Sequence, residues 1–422
     1  MTLRISKHRG GGEASWMDLP SDDGSVVTIG RAKANTIALQ TDQSVSASHA
    51  ELAYVAGSAA DGVRSGWCVR DLGSSNGTAL RLSAERKASR AFALSAGHRL
   101  GLGSGPKSSE LIALRYRRGI AARQGRRPTM EDAHVACDAL PPPSPDMAHL
   151  CQQLSFYAVY DGHQGAEASA YCKLHLHRQM MTRLAERIRR RRENGEGSSE
   201  PTAGDIAEAL REAFASTDEQ FLSSTNASAG TTAIAAVVTR THCIVANCGD
   251  SRGYLYRPQS AAAADSEGGT VLRMSIDHKP DRPDETARIT AAGGWVSGGR
   301  VLHTLAVSRA LGDRDFKMVP ARNAPSDGEQ SFRMPFKAPL VSAEPEIRIC
   351  AAREGDELLL ACDGLWDVMT GEKAFAFLHS HGASENPQKA VSQLCAAAEE
   401  QFYSQDNITA VYVRLRTPDA AD

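Results

Sequence analysis

The chain has 422 residues, of which 41% are hydrophobic, and this length and composition indicate a globular protein of two to four domains. Its 48 Lys and Arg residues balance 50 Asp and Glu residues to a formal net charge of −2, which argues against nucleic-acid or membrane-surface binding through broad electrostatic attraction. The nine cysteines show no metal-type pairing or secreted disulfide framework, and no apolar run approaches the ~20 residues of a membrane span, so we expect an intracellular, cytoplasmic or nuclear protein.

Short β-prone runs separated by Gly, Ser, Asp and Asn fill the first 117 residues. Helical periodicity is absent there, so the pattern predicts an all-β sandwich. The predicted strands are Leu3–Ser6, Val26–Ile29, Thr36–Leu39, Ala50–Ala53, Trp67–Arg70, Arg99–Leu102 and Leu111–Arg115.

Three turn clusters in this segment carry small polar groups, namely Gly30-Arg31, Ser46–His49 and Gly73–Thr78. A fixed guanidinium with hydroxyl and backbone N–H donors is the chemistry that a phosphate monoester requires. Each cluster is also typical of an ordinary turn, since Asn76-Gly77 is a hairpin signal and Arg31 can be a solvated surface residue.

Taken in order, VTIGR, SASHAEL and DLGSSNGT resemble the forkhead-associated domain, a phosphothreonine-peptide reader on a β-sandwich. The resemblance implies that Arg31 and Ser46 contact the phosphate, that Ser75 assists, and that Asn76 binds the peptide main chain. His49 matches the histidine that braces the loops in that family. Residues 1–117 are therefore expected to form a phosphopeptide-binding domain.

Residues 118–417 alternate strand-like and helical patterns, which predicts a mixed α and β domain. Two helices are predicted, Ala166–Glu193 and Asp205–Leu222, and a third over Asp284–Ala292. The inward faces are predicted to be Leu174, Met181, Leu184 and Ile188 on the first helix and Ile206, Leu210, Phe214 and Phe221 on the second. The first helix ends in four arginines, Arg189–Arg192, which fit either a solvated helix end or a nuclear address.

The strands of this half run through apolar residues. Buried strands are predicted at Phe156–Tyr160, Ile234–Thr239, Ile244–Asn247 and Leu358–Cys362, and an alternating strand at Ile408–Leu415. The Pro-punctuated segment Phe316–Pro339 is predicted to be a surface loop.

Aspartates occur where four of these strands begin or end: Asp161, Asp250, Asp363 and Asp406. Glu131-Asp132 and Arg127 precede another apolar run. Any one of these, such as the DGH of residues 161–163, also fits a strand-ending turn. Gathered carboxylates repel one another unless cations lie among them, and an oxygen-only ligand set favours Mg²⁺ or Mn²⁺ over Zn²⁺.

The order RPTMED, DGH, GTTA, GDSR, AVSRALGD, DGLWD and DNIT, over residues 119–416, resembles the metal-dependent serine/threonine phosphatases of type 2C. The resemblance implies a four-layer α–β–β–α sandwich that hydrolyses phosphoserine and phosphothreonine with a metal-activated water. It implies two Mg²⁺ or Mn²⁺ ions, with a weaker third site. Gln164 and Ala229 depart from residues common in that family.

Roles follow by position from the same resemblance. The metal ligands would be Asp132, Asp161, the carbonyl of Gly162, Asp363 and Asp406. The supporting or third-metal residues would be Glu131, Asp250, Asp367 and Asn407. Arg127 would hold the substrate phosphate, and His163 would be the general acid.

Two other functions remain open at this point, a scaffold with an inactive phosphatase half and hydrolysis of small phosphoesters on the same metals. The expected partners are phosphorylated proteins such as protein kinases, bound through the N-terminal domain of a monomer. The domain order is similar to that of the plant kinase-associated phosphatases, although no membrane anchor is expected here.

Overall fold

In the computed structural model the chain divides into two compact units, of which the second is Arg118–Leu415. The structure describes residues 2–6, 26–30, 35, 37–38, 50–55, 66–71, 92–93, 99–102, 109–114, 117–138, 140, 143–144, 147, 150, 153–195, 200–259, 268–317 and 336–415.

The described part of the first unit consists of strands. They are β1 (Thr2–Ser6), β2 (Val26–Gly30), β3 (Ile37–Ala38), β4 (Ala50–Val55), β5 (Gly66–Asp71), β6 (Phe92–Ala93), β7 (Arg99–Leu102) and β8 (Ser109–Leu114). Their orders are β1–β8–β7 in one sheet and β3–β2–β4–β5–β6 in another. All seven predicted strands are present, one of them, Arg99–Leu102, with the predicted ends and the other six with shifted ends, whereas β6 was not predicted.

The second unit contains fifteen described strands and seven described helices. The strands are β9 (Arg117–Arg123), β10 (Ala133–Cys137), β11 (Ser155–Tyr160), β12 (Gly162–His163), β13 (Gly230–Thr231), β14 (Ala233–Val238), β15 (His242–Cys248), β16 (Arg252–Pro258), β17 (Gly269–Arg273), β18 (Val296–Ser297), β19 (Arg300–Val301), β20 (Leu311–Gly312), β21 (Glu346–Ala351), β22 (Glu357–Ala361) and β23 (Ile408–Arg414). The helices are α1 (Glu167–Glu193), α2 (Ala203–Ser224), α3 (Pro283–Ala291), α4 (Arg314–Lys317), α5 (Asp363–Trp366), α6 (Gly371–Ser380) and α7 (Pro387–Glu400). No described helix has the length and apolar character needed to cross a membrane.

Two antiparallel five-stranded sheets form the centre of this unit, in the orders β10–β11–β14–β15–β21 and β17–β16–β22–β23–β9. Helices α1 and α2 cover the first sheet, where Leu176 and Phe214 join Phe156 in one apolar core. Helices α6 and α7 cover the second sheet, where Phe375 and Leu394 pack with the strands. Each fully buried side chain of this size contributes about 1.5–3 kcal/mol. Since β11 also lies against β22 and β23, the layers stack as helices, sheet, sheet and helices.

The prediction that Leu174 lies on the inward face of the first helix is wrong. Leu174 is 54% exposed, whereas Met181, Leu184 and Ile188 are buried. In the first half of α1 the buried residues follow an i, i+4 row through Ala168, Cys172 and Leu176. Such a row drifts around the helix axis, so the face of the second half does not extend back to Leu174. All four inward residues predicted for the second helix are buried.

Strand β23 does not alternate, because all its residues from Ile408 to Val413 are buried. Ile408, Ala410 and Tyr412 face the helical core, and the intervening residues face the neighbouring sheet. A strand between two apolar layers is buried on both sides. The predicted loop Phe316–Pro339 begins inside α4, and residues 318–335 lie outside the described residues.

A buried ion-pair cluster fixes α3 to the segment that leads toward β20. Glu285, in the first turn of α3, is 1% exposed. It accepts hydrogen bonds from Arg309 Nη2 at 2.7 Å and from Arg288 Nη2 at 2.8 Å. Burial alone would raise the pKa of Glu285, but hydrogen bonds from Arg309 and Arg288 lower it from 4.5 to about 2.

We expect Glu285→Gln to destabilise the second unit by about 3 kcal/mol, because the partly buried guanidinium groups of Arg288 and Arg309 lose their buried counter-charge. Since the folded-state pKa of Glu285 is depressed, its contribution is complete above the unfolded value of 4.5 and is lost as the pH falls toward about 2. Urea unfolding at pH 7 and pH 3 measures both effects. Glu372→Gln, an exposed glutamate in the first turn of α6, is the matched control. Equal stability of the two variants at pH 7 would contradict the assignment.

Candidate active site

The ends of strands from both large sheets place carboxylates at one end of the sandwich. Asp161 follows β11, and Asp250 follows β15 in the first sheet. Asp363 follows β22, and Asp406 precedes β23 in the second sheet. Asp132 immediately precedes β10. Because the two sheets are stacked, these residues, far apart in sequence, reach the same region.

Two groups of side chains approach closely enough to share a cation. Carboxylate oxygens of Asp161, Asp250 and Asp363 lie within 4.8 Å of one another. An oxygen of Asp132, an oxygen of Asp161 and the Sγ atom of Cys362 form a second group with the same limit. Asp161 belongs to both groups and is therefore the link between them.

The raised pKa values of these carboxyl groups show that their negative charges are not compensated. Burial, followed by repulsion from Asp363 and Asp132, raises the pKa of Asp161 well above its usual range. Burial and the nearby Asp250 raise the pKa of Asp363 to about 7. Burial also raises the pKa of Asp132 to about 6. Each shift reports that the ionised carboxylates lack positive charge.

The residues present fit divalent cations. Both carboxylate oxygens of Asp132 are buried and accept no hydrogen bond of ordinary geometry. Buried acceptors without partners are costly, and a cation among them removes that cost. The donor set is mainly carboxylate oxygen, which suits hard ions such as Mg²⁺ or Mn²⁺.

A cleft of about 530 Å³ opens over the carboxylates. Its lining includes Asp161, Asp250, Asp363 and Asp406, together with Arg127. Arg127 Nη2 donates to Asp406 Oδ2 at 2.6 Å, and this bond raises the pKa of the guanidinium. The Arg127 side chain is 56% exposed, so its guanidinium can turn toward a phosphate in the cleft.

His163 lies in the same cleft and is oriented by a buried carboxylate. Its Nε2 atom is 2.7 Å from Oδ1 of Asp313, a residue 150 positions later. Burial would lower the pKa of His163, but the hydrogen bond and charge of Asp313 raise it overall. The pair therefore favours a protonated imidazole that faces the cleft.

Comparison with family models identifies the second unit. The model described as "Protein phosphatase 2C" matches residues 116–408, more than half of the chain. The chain belongs to the protein phosphatase 2C family. A second model, the FHA domain, matches residues 27–103. The chain therefore carries an FHA domain followed by a phosphatase 2C domain, the arrangement that the sequence motifs predict.

Curated relatives support the protein phosphatase 2C assignment. The chain is 37% identical over 274 residues to bovine protein phosphatase 1B, covering 63% of this chain and 49% of that protein. It is 35% identical over 274 residues to human protein phosphatase 1A, covering 63% of this chain and 62% of that protein. The chain thus spans about half to three-fifths of the length of these relatives.

Solved structures show the same fold. A serine-threonine phosphatase 2C from Toxoplasma gondii aligns with a TM-score of 0.55 at 23% identity, covering 70% of this chain and 94% of that chain. A sex-determining protein of C. elegans aligns with a TM-score of 0.52 at 25% identity, covering 75% and 68%. The four-layer α–β–β–α fold predicted for the phosphatase 2C unit is confirmed.

The phosphatase 2C unit positions the remaining predicted residues around this centre. Asn407 Oδ1 accepts from the Glu131 backbone N–H at 2.8 Å, and Asn407 Nδ2 donates to the carbonyls of Gln124 and Thr129. Asn407 therefore fixes the loop that carries Glu131 and Asp132. Gly162 lies against the Glu131 carbonyl, where a Cβ atom would come within 2.3 Å, so glycine is required there. Asp367 ends α5 one turn after Asp363.

Three residues of the phosphatase 2C site received no role from the sequence: Asp313, Lys279 and Cys362. Asp313 closes the AVSRALGD motif, and Lys279 lies in DHKP. The Lys279 ammonium forms an ion pair with Asp250 Oδ2. Burial would lower the pKa of Lys279, and Asp250 raises it overall. Both motifs are visible in the sequence. The partner of Lys279 is 29 residues away and the partner of Asp313 is 150 residues away, so local spacing does not reveal either contact.

Gln164, one of the departures from the family pattern, has a backbone φ of 57°. This left-handed conformation favours glycine and costs other residues roughly 1–2 kcal/mol. The structure thus explains why glycine is suited to this turn, and it places Gln164 on the lining of the cleft but outside the two close groups of possible metal ligands. The predicted phosphopeptide residues Arg31, Ser46, Ser75 and Asn76, and also His49, lie outside the described residues.

Proposed function

We propose that this chain is a protein serine/threonine phosphatase that requires Mg²⁺ or Mn²⁺ and is directed to phosphothreonine-bearing partners by its N-terminal domain. The observation that carries the catalytic part is that Asp161 lies within 4.8 Å of Asp132 in one group and of Asp250 and Asp363 in the other. The relatives named protein phosphatase 1A and 1B support the substrate class.

Asp132, Asp161, Asp363 and Asp406, with the carbonyl of Gly162, would hold two cations at the floor of the cleft. Asp250 and Asp367 would join Asp363 at a weaker third site. Divalent cations bound there would supply a water nucleophile of lowered pKa and positive charge beside the phosphoryl oxygens. Lys279 already places one positive charge on Asp250, so a cation at the third site competes with that ammonium group.

Arg127 would bind the substrate phosphate at the edge of the cleft. Its guanidinium forms an ion pair with Asp406, at 2.6 Å. With a cation held by Asp406, the Arg127 guanidinium would be free to donate two hydrogen bonds to phosphoryl oxygens. Bidentate binding of this kind orients the phosphorus for in-line attack.

His163 would donate a proton to the departing serine or threonine oxygen. Asp313, 2.7 Å from His163 Nε2 and almost fully buried, orients the ring and favours its protonated form. A serine or threonine alkoxide is a poor leaving group, so a positioned acid contributes about 10²–10⁴-fold in rate.

For the first unit we propose that the two described sheets pack as a forkhead-associated sandwich and that the loops after β2, before β4 and after β5 bind phosphothreonine. The FHA family model supports this proposal. Protein kinases are fitting partners, since many are activated by phosphorylation and would present both a docking phosphate and a substrate.

Metal removal tests the catalytic proposal. We expect the full chain to hydrolyse a phosphothreonine peptide in Mn²⁺, to lose that activity on chelation, and to recover it when Mn²⁺ is restored. Phosphate release measures the rate, and a parallel reaction with a nucleoside monophosphate separates protein from small-molecule hydrolysis. Peptide hydrolysis that persists after chelation would overturn the metal role.

Arg31→Ala tests the docking proposal. We expect the variant to lose binding to phosphothreonine peptides, because the resemblance assigns a phosphate contact to the Arg31 guanidinium. Fluorescence anisotropy with phosphorylated and unphosphorylated peptides measures the loss, and Arg4→Ala, on β1, is the control. Unchanged affinity of Arg31→Ala would contradict the docking role while leaving the catalytic proposal intact.

A further inference from the structure

Two cysteines face each other at the edge of the first large sheet. Cys243 on β15 is paired directly with Cys350 on β21, and β21 is the outer strand of this sheet. Opposed residues of antiparallel strands have Cα atoms about 4.5–5.5 Å apart, within the range of about 4.4–6.8 Å that disulfides span. Because the two residues are directly opposite, their side chains share one face of the sheet. A bond between the sulfur atoms therefore requires no change of strand register.

The two thiols have different environments. Cys243 is fully buried, whereas Cys350 is only partly buried. The adjacent Cys243 thiol lowers the pKa of Cys350 to about 7, with burial opposing and the charge of Arg257 assisting. Arg257 is held in place by Asp356 and by the carbonyl of Ala351, each at 2.7 Å. Cys350 thus combines thiolate character with access from the sheet edge, the two properties of a reactive cysteine.

We propose that Cys243 and Cys350 are a peroxide-sensitive thiol pair that closes reversibly to a cross-strand disulfide. Cys350 is the residue that peroxide attacks, and Cys243 is the residue that resolves the product. Neither cysteine lines the cleft over the carboxylates, so the pair is a modification site separate from the proposed catalytic centre.

The chemistry balances with hydrogen peroxide as the oxidant. The Cys350 thiolate attacks one peroxide oxygen, the O–O bond breaks, and hydroxide leaves, giving a sulfenic acid. The Cys243 sulfur then attacks the Cys350 sulfur, the S–O bond breaks, and water leaves with the thiol proton. The two cysteines together lose two electrons and two protons, and the peroxide is reduced to two waters.

Another cysteine of the same sheet provides a matched control. Cys137 is also partly buried and also lies on an outer strand, β10, but Phe156 is the residue opposite it. Cys137 therefore shows how readily a partly buried thiol is oxidised when no cysteine lies opposite it in the strand pairing. The comparison separates disulfide formation by the pair from oxidation that depends on exposure alone.

Peptide mapping of the full chain under non-reducing conditions tests the proposal. After treatment with increasing hydrogen peroxide and blocking of free thiols, trypsin releases residues 241–252 and 349–353 as separate peptides when the thiols are reduced. We expect these peptides to appear covalently linked, with fragment ions that place the link on Cys243 rather than on Cys248 of the same peptide. Dithiothreitol should restore both free peptides.

Two variants sharpen the result. In Cys243→Ala we expect a dimedone adduct on the 349–353 peptide, because the sulfenic acid can no longer be resolved. In Cys350→Ala we expect the linked peptide to be lost. The proposal is overturned if wild-type protein yields a link to Cys248, or if Cys137 is oxidised at lower peroxide than the pair. Intact 349–353 peptide at peroxide levels that oxidise Cys137 also overturns it.

Discussion

Asp161→Asn is expected to lower kcat/KM for a phosphothreonine peptide by about 10³-fold. Asp161 is the one carboxylate shared by both close groups, so its loss weakens both cation sites at once. A bound cation stabilises the transition state by several kcal/mol, and each 1.36 kcal/mol is a factor of ten in rate. Steady-state phosphate release in Mn²⁺ measures the effect.

The same variant has a readout that does not involve catalysis. In metal-free protein we expect Asp161→Asn to be more stable than the wild type. The substitution replaces the Asp161 carboxyl group with a neutral amide. The pKa of that carboxyl group is raised by burial and by repulsion from Asp363 and Asp132, so its ionised form destabilises the metal-free protein. Thermal unfolding in chelator measures this difference, and Asp281→Asn, at an exposed position, is the control. A metal-free variant less stable than the wild type, with unchanged activity, would refute the role of Asp161.

His163→Gln is expected to lower kcat by about 10²–10⁴-fold on a phosphothreonine peptide, because the leaving alkoxide then lacks a proton donor. On p-nitrophenyl phosphate the loss should be far smaller, since that leaving group needs no protonation. Asp313→Asn should show the same substrate dependence with a smaller loss, because it acts by orienting His163 at 2.7 Å.

The comparison of the two substrates separates acid catalysis from damage to the site. A His163→Gln variant that loses both activities equally would show that His163 acts in binding or folding instead. His381→Gln, an exposed histidine just after α6, is the control and should leave both rates unchanged.

The fold and the carboxylates could be predicted because each depends on local signals. Apolar runs ending in Asp161, Asp250 and Asp363 are visible along the chain, and the motif order carries the family. The partners of those residues depend on tertiary structure. Arg127 meets Asp406 across 279 positions, and Asp250, between β15 and β16, meets Lys279, between β17 and α3.

Other features escaped prediction for the same physical reason. Leu174 has the right spacing for the helix face, but the sheet beneath α1 determines which side is covered, and this side changes along the helix. The opposition of Cys243 and Cys350 depends on the register of β15 with β21, which joins segments about a hundred residues apart. Cys362 enters the acidic centre because it precedes Asp363, a position where the sequence analysis considered only oxygen ligands.

The central claim is that the clustered carboxylates bind divalent cations. A calorimetric titration of the metal-free chain with Mn²⁺ tests it most directly. We predict that the wild type binds at least two ions and that Asp161→Asn loses most of this binding, while Asp281→Asn keeps it. A wild-type chain that binds no Mn²⁺, or an Asp161→Asn variant that binds it as tightly, would contradict the account.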